Sequence, residues 1–350
     1  MRPDLERDNS LMIDFIHRRD DAADADWYLL QSGEPGRIVE ADVRFRVTGK
    51  IPELWDPVTG EIREAAVWRE KDGVTELPMS FPINGAMFVV FRKPSAGREP
   101  LVTFSPVKAF TGVVDSRAIV LKNGKPGVLA FDSGRFTGQT KSGKTVAAEV
   151  TAPAPIALDG PWTVSFDPGL GGPAEPVVFE KLTSLHEHTD PKIKYYSGPA
   201  SYKRTIEIPA AMLGEGRRLM LDLGQVIELA EVRLNGRKIA VAWCPPYAVD
   251  LTAAARPGAN DLEIIAVNKW HNRWIGDEQL PPDVDTVLPN FGGLNRTPVR
   301  FPDWAKQGKK SPNGRILFST FMPRTKEDKL GAAGLLGPVT LRGGVEAELK

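Results

Sequence analysis

One cysteine, Cys244, stands in 350 residues, so the chain can form no internal disulfide and no multi-cysteine metal site. Net charge is missing as well. Lysine plus arginine and aspartate plus glutamate number 45 each, which leaves no field to draw the chain toward nucleic acid or an anionic membrane. A neutral ligand is the simplest fit, and the lone thiol reads as inert filling. No window is long and apolar enough to cross a bilayer, and Met1 to Ser10 lacks the basic and apolar regions of a secretory leader. The expectation is therefore a soluble chain with neither nucleic acid nor membrane as partner. The P-loop, the dinucleotide fingerprint and the nucleophile elbow are also missing, which leaves nucleotide, hydride-transfer and acyl-transfer chemistry without support.

What is present points to strands. The chain is 41% hydrophobic, ample for real cores, and its 33 glycines and 30 prolines punctuate short apolar runs, which leaves little room for long helices. Asp72-Gly73, Asn123-Gly124 and Asn235-Gly236 each sit between apolar runs and predict hairpins with type I′ turns. Val39, Ala41, Val43, Phe45 and Val47 alternate with polar residues, as do Leu219, Leu221 and Leu223, the pattern of half-buried antiparallel strands. Gly85 to Phe91 is continuously apolar and predicts a central strand covered on both faces. The fold class is all-β, as two β-sandwich domains. Proline-rich Thr151 to Pro155 marks a linker, giving a sandwich over 37–152 and a second domain over 153–350 that opens at Leu158 to Phe166 and closes with Pro338 to Leu341. Residues 1–36 read as a remnant of a preceding domain or an N-terminal extension, with strands near Met12 to Ile16 and Trp27 to Leu30. Residues 276–314 read as an ordered surface loop anchored by Phe291, Phe301 and Trp304.

The densest chemical cluster is Asn268 to Asp277, NKWHNRWIGD. It supplies Asn268, Trp270, His271, Asn272, Arg273, Trp274 and Asp277 as candidate ligand-binding residues. An aromatic face stacks on the C–H groups of a pyranose while amide, guanidinium and carboxylate groups pair with its vicinal hydroxyls. The competing reading, in which the tryptophans bury and Arg273 pairs with Asp277, is the stronger of the two. Trp243 and Tyr247, on a turn stiffened by Pro245 and Pro246, form a second candidate rim, again with packing as the stronger reading. His186 and His188 have strand spacing for a metal but no third ligand nearby, so no metal site is assigned. Glu53 and Asp56 are adjacent carboxylates in a proline-bounded turn, where capping is expected rather than catalysis. Asp277, Asp283 and Asp285 leave calcium open as the one cofactor to consider, and no other is implied.

Several stretches, taken together, carry a family resemblance. These are IHRRD at Ile16 to Asp20, RFRVTGKIPELWDPVTG at Arg44 to Gly60, and Leu77 to Arg92 with its FVVFR ending. They continue in YKRTIEIP at Tyr202 to Pro209, LDLGQVIELAEVRLNG at Leu221 to Gly236, NKWHNRWIGD, and LLGPVTL at Leu335 to Leu341. From about Ile16 to Leu341 the sequence resembles the C-terminal portion of the rhamnosidases of glycoside hydrolase family 106. The second half is also similar to the sugar-binding, galactose-binding-like jelly-roll domains of family 2 glycosidases, through the LNG hairpin and Gly258 to Ile264. The resemblance implies carbohydrate recognition and scaffolding beside a hydrolase barrel that lies elsewhere, in the same polypeptide or in a partner. It assigns no catalytic residue to any position here, since the family's catalytic carboxylates and associated calcium lie in that barrel. The compartment it implies is periplasmic or extracellular within a longer secreted hydrolase, and cytoplasmic otherwise. Two rival readings are an autonomous enzyme on rhamnose- or uronate-containing glycans, using a cleft near His186 and His271, and a free-standing lectin-like binder.

Overall fold

The computed structural model describes residues 3–8, 10–34, 36–105, 116–287, 297–317 and 323–350. Among them strands dominate and the longest helix is His271–Asp277. The chain is all-β, built from antiparallel sheets. Two of the three hairpin turns have the expected geometry, with positive φ at Asp72 and Gly73 and at Asn235 and Gly236. The third differs, because only Gly124 has positive φ and a longer Leu121 to Lys125 loop joins Arg117–Val120 to Pro126–Ala130.

The first sandwich packs a four-stranded sheet against a five-stranded one. In the four-stranded sheet Leu5–Glu6, Val39–Phe45, Val74–Phe81 and Arg69–Lys71 lie side by side. The five-stranded order is Ile13–Asp20, Ala25–Ser32, Ala86–Pro94, Lys50–Trp55, Ile62–Glu64. Ala86–Pro94 is central in strand order, as its apolar run predicts, but it is not covered on both faces: Phe88 on the outer face is only half-buried. Tyr28, Leu30, Leu54, Val89 and Phe91 point inward from this sheet and meet Val39, Val43, Phe45 and Leu77 in one core. The N-terminal strands pair within this sandwich rather than standing apart from it: Ala25–Ser32 pairs with Ala86–Pro94 from Asp26↔Phe91 to Gln31↔Ala86, and Leu5 pairs with Phe45. That pairing joins segments far apart in sequence, which periodicity does not register.

The second sandwich has two six-stranded sheets around the largest core, in which Trp162, Tyr196, Tyr202, Leu219, Leu221, Ile264 and Leu341 are buried. One sheet runs Val177–Phe179, Trp162–Phe166, Pro199–Ile208, Gly258–Val267, Leu229–Leu234, Arg237–Ala242. The other is organised by the C-terminal strand Thr340–Glu348, which pairs with Arg217–Asp222 and, in register from Gly127↔Glu348 to Ala130↔Val345, with Pro126–Ala130. The proline-rich segment near 151–155 does mark a gap between strands, yet residues 117–130 on its N-terminal side lie in the sheet of the C-terminal strand. A small third core, Leu101, Val128, Phe136, Val146, Val150 and Leu349, lies between a separate three-stranded sheet of Leu101–Ser105, Gly134–Thr140 and Thr145–Val150 and the Pro126–Ala130 and Thr340–Glu348 strands of the second sandwich.

Glu53, buried on the first sandwich, shows how this fold handles an interior charge. Its carboxylate lies 2.6 Å from Arg92 Nε and 2.7 Å from Lys93 Nζ. Burial pushes the carboxyl up, but the two cations outweigh it, so the group titrates below the ordinary glutamate value of 4.5. A carboxyl lowered in the folded state contributes stability above its unfolded pKa and loses it as the pH falls through the folded one. The stability difference between wild type and Glu53→Gln, followed by urea denaturation across pH, is expected to be full at neutral pH and to shrink as the solution is acidified below that ordinary value. A pH-independent difference would contradict this.

Candidate functional site

The cluster Asn268 to Asp277 begins where strand Gly258–Val267 ends and winds into the helix His271–Asp277. Helical period splits it. Asn272, Arg273, Ile275, Gly276 and Asp277 are buried, while Trp270 is 41% exposed. The buried polar groups hold backbone. Asn268 Oδ1 accepts from Gly334 N, and its Nδ2 donates to Gly198 O at 3.3 Å. Asn272 Nδ2 donates to Gly331 O at 2.8 Å and Oδ1 accepts from Gly331 N at 2.9 Å. His271 Nε2 lies 2.9 Å from Lys329 O. Asp277 Oδ2 accepts from Ile316 N at 2.9 Å and Leu317 N at 2.7 Å. Arg273 Nε and Asp277 Oδ1 lie 3.0 Å apart, although neither atom makes a hydrogen bond of good angle, so their attraction is chiefly Coulombic. The expected ion pair is thus present, and its carboxylate holds segment 316–317 while Asn268, His271 and Asn272 hold segment 329–334. Trp274 is half-buried beside a cavity of about 80 Å3 that Asp277, Glu278, Asp283, Arg315 and Arg324 also line. Of the loop anchors, Phe301 is exposed, Trp304 is half-buried and Phe291 lies outside the described residues.

The aromatic rim is better defined. Ala242, Ala230 and Ala266 are cross-strand neighbours, so Trp243, Glu228 and the start of NKWHNRW all leave the same end of one sheet. Adjacent strands are about 4.8 Å apart, which puts the exits of Trp243 and of Asn268 to Trp270 about 10 Å from each other. Trp243 is 57% exposed. Tyr247 is half-buried, and its hydroxyl donates to Glu228 O at 3.2 Å. Between the tryptophans Lys269 Nζ and Glu228 Oε1 form an exposed pair at 2.5 Å. Of the nine residues singled out in the sequence, the structure leaves Trp243, Tyr247 and Trp270 on this rim and turns Asn268, Asn272, Arg273 and Asp277 inward. Glu228 and Lys269 carry no signal as a pair in the sequence, since only the strand register brings them together between the aromatics. Burial pushes the Cys244 thiol up, so the cysteine beside this rim is a poor nucleophile.

The other candidates are engaged locally. His186 Nδ1 lies 2.6 Å from Ser184 Oγ, and His188 Nδ1 accepts from Asp190 N at 3.0 Å while its ring stacks on Phe179 at 5.5 Å. Asp56 caps Val58 N at 2.8 Å and Thr59 N at 3.2 Å, the turn role expected of it. Of the three carboxylates considered for calcium, Asp277 is engaged by Arg273 and by the Ile316 and Leu317 amides, which leaves Asp283 and Asp285. Among the described residues no group of three or more metal-ligating side chains occurs. No helix among them is long and apolar enough to cross a membrane.

Known proteins share this architecture. A family model described as alpha-L-rhamnosidase matches residues 1–69. A solved rhamnosidase from Novosphingobium sp. PP1Y superposes with a TM-score of 0.67 over 98% of this chain, at 29% sequence identity. The resemblance is to the α-L-rhamnosidases. A Formosa agariphila protein titled "Putative beta-glucuronidase" is 37% identical over 232 residues, 66% of this chain. The chain spans a quarter of the rhamnosidase (25%) and 19% of the Formosa protein. The rhamnosidase match runs through both sandwiches, in line with the family stretches read from the sequence.

Proposed function

We propose that this chain is the carbohydrate-recognition and scaffolding portion of an α-L-rhamnosidase-type glycoside hydrolase whose catalytic barrel lies outside it. The observation that carries the reading is the rim of Trp243, Tyr247 and Trp270 around the Glu228–Lys269 pair. Exposed indoles offer stacking surfaces for sugar rings, and a solvent-facing carboxylate and ammonium between them accept from and donate to hydroxyls. Isothermal calorimetry with rhamnose-containing oligosaccharides tests it. Binding is expected to fall at least about tenfold, ~1.4 kcal/mol, in Trp270→Ala. Binding unaffected by both Trp270→Ala and Trp243→Ala would overturn the assignment of the rim.

Support for the scaffolding half comes from the outer face of the five-stranded sheet. Ile16, Leu29, Phe88, Trp55 and Ile62 are successive cross-strand neighbours across all five strands, on the face opposite the core residues Tyr28, Val89 and Leu54. At its ends Ile16 is 69% and Ile62 53% exposed. An apolar row of this kind marks an interaction surface, and its occupant is the remaining part of a rhamnosidase-type chain, of which this one spans a quarter (25%). The autonomous-enzyme reading has less to rest on. His186, His188 and His271 are each tied to a local partner, and no two of them share a hydrogen bond among the described residues.

A further inference from the structure

A cavity of about 430 Å3 opens on the first sandwich, away from the aromatic rim, lined by Asp4, His17, Arg19, Asp26, Arg46, Val47, Thr48 and Lys50. The residues reach it by strand alternation: His17 and Arg19 share one face of Ile13–Asp20, and Asp26 comes from the neighbouring strand. The floor is fixed. The His17 ring lies flat on Tyr28, with centroids 4.1 Å apart, and its nitrogens face Asp4 Oδ2 at 3.4 Å and Asp26 Oδ1 at 3.2 Å. Asp26 is buried and also meets Arg19 NH1 and, at 3.6 Å, Lys50 Nζ, while Arg46 NH2 meets Asp4. The mouth is looser. Arg19 Nε reaches Asp21 at 3.2 Å and its NH2 reaches Asp24 at 2.6 Å, where Lys50 Nζ also lies 2.8 Å from Asp24 Oδ1. Asp21 and Asp24 are exposed side chains on the hairpin turn, and exposed ion pairs of this kind are weak.

We infer that this cavity is a subsite for the carboxylate of an acidic sugar, a uronate, separate from the aromatic rim. This rests on the reading of the chain as carbohydrate-recognising and adds a ligand class to it. Once the exposed Asp21 and Asp24 swing away, Arg19, Arg46 and Lys50 face only Asp4 and Asp26 in the lining, and a ligand carboxylate can take their place on the Arg19 Nε and NH2 in bidentate fashion. Asp4 and Asp26 disfavour a bare inorganic anion but, like the Thr48 hydroxyl, accept hydrogen bonds from ring hydroxyls. Acceptor charge at one end and hydroxyls at the other are the complementary features, and the volume lies within the ~300–1,000 Å3 of small-ligand sites.

Calorimetry on the full chain with methyl β-D-glucuronide, methyl β-D-glucoside and sodium sulfate tests this, with thermal melting as the control for folding. The glucuronide is expected to bind at least about tenfold more tightly than the glucoside, the equivalent of ~1.4 kcal/mol. Arg19→Gln is expected to remove that preference, and Trp270→Ala to leave it intact even where it abolishes rhamnoside binding. If Arg19→Gln lowers the melting temperature, Arg46→Gln serves in its place. Equal binding of glucuronide and glucoside, competition by sulfate as strong as by glucuronide, or a preference that survives both arginine variants would overturn the inference. So would no glucuronide binding at all. Loss of rhamnoside binding in Trp270→Ala would then still support the rim, so the two readings fail separately.

Discussion

Asp277→Ala is expected to destabilise the fold by about 3–5 kcal/mol, the cost of breaking a buried ion pair from one side. Asp277 and Arg273 are both almost wholly buried, so the substitution leaves a guanidinium charge in the interior with its carboxylate gone. It also orphans the Ile316 and Leu317 amides, whose hydrogen bonds tie the long loop to the helix. Urea denaturation gives the equilibrium value. Limited proteolysis adds a readout specific to the loop, with cleavage near 309–317 expected to accelerate more than elsewhere. A loss below about 1 kcal/mol would show the pair to be dispensable and the helix to be held by Ile275 and its neighbours alone.

Trp162→Ala is expected to cost about as much, roughly 3–5 kcal/mol, for a different reason. Trp162 is among the largest fully buried side chains, and Arg204 lies over its ring at 5.1 Å. Truncation removes apolar contact throughout the main core and strands a cation that also donates to Leu158 O and Asp159 O. Trp270→Ala makes the informative contrast. It is 41% exposed and outside the core, so its loss is expected to change stability by less than about 1 kcal/mol while weakening sugar binding. The pair of variants separates an indole that builds the fold from one that meets a ligand. Similar stability losses in both would place Trp270 in the packing class.

How far the sequence could be read followed from how local each signal is. The hairpins at Asp72-Gly73 and Asn235-Gly236 were legible because the turn itself demands positive φ, and the central strand was legible from its apolar run. The affiliation of Ala25–Ser32 with Ala86–Pro94 and of Pro126–Ala130 with Thr340–Glu348 was not, because long-range pairing leaves no trace in either segment alone. The site shows the same division. NKWHNRWIGD is dense in chemistry as a sequence, but as a flat cluster it does not show that a helix turns Asn272, Arg273 and Asp277 toward backbone and Trp270 toward solvent. The Glu228–Lys269 pair and the cavity around His17 depend on register between strands, and only the i, i+2 spacing of His17 and Arg19 hinted at the second.

The central claim, carbohydrate recognition without an active site in this chain, is tested most directly by titrating a rhamnose-containing oligosaccharide into the purified protein while assaying an aryl α-L-rhamnoside for turnover. Saturable binding that depends on Trp270, with no release of aglycone, is the predicted result. Turnover that disappears in His271→Ala or Asp277→Asn while the fold survives would contradict it, and would place catalysis in this chain.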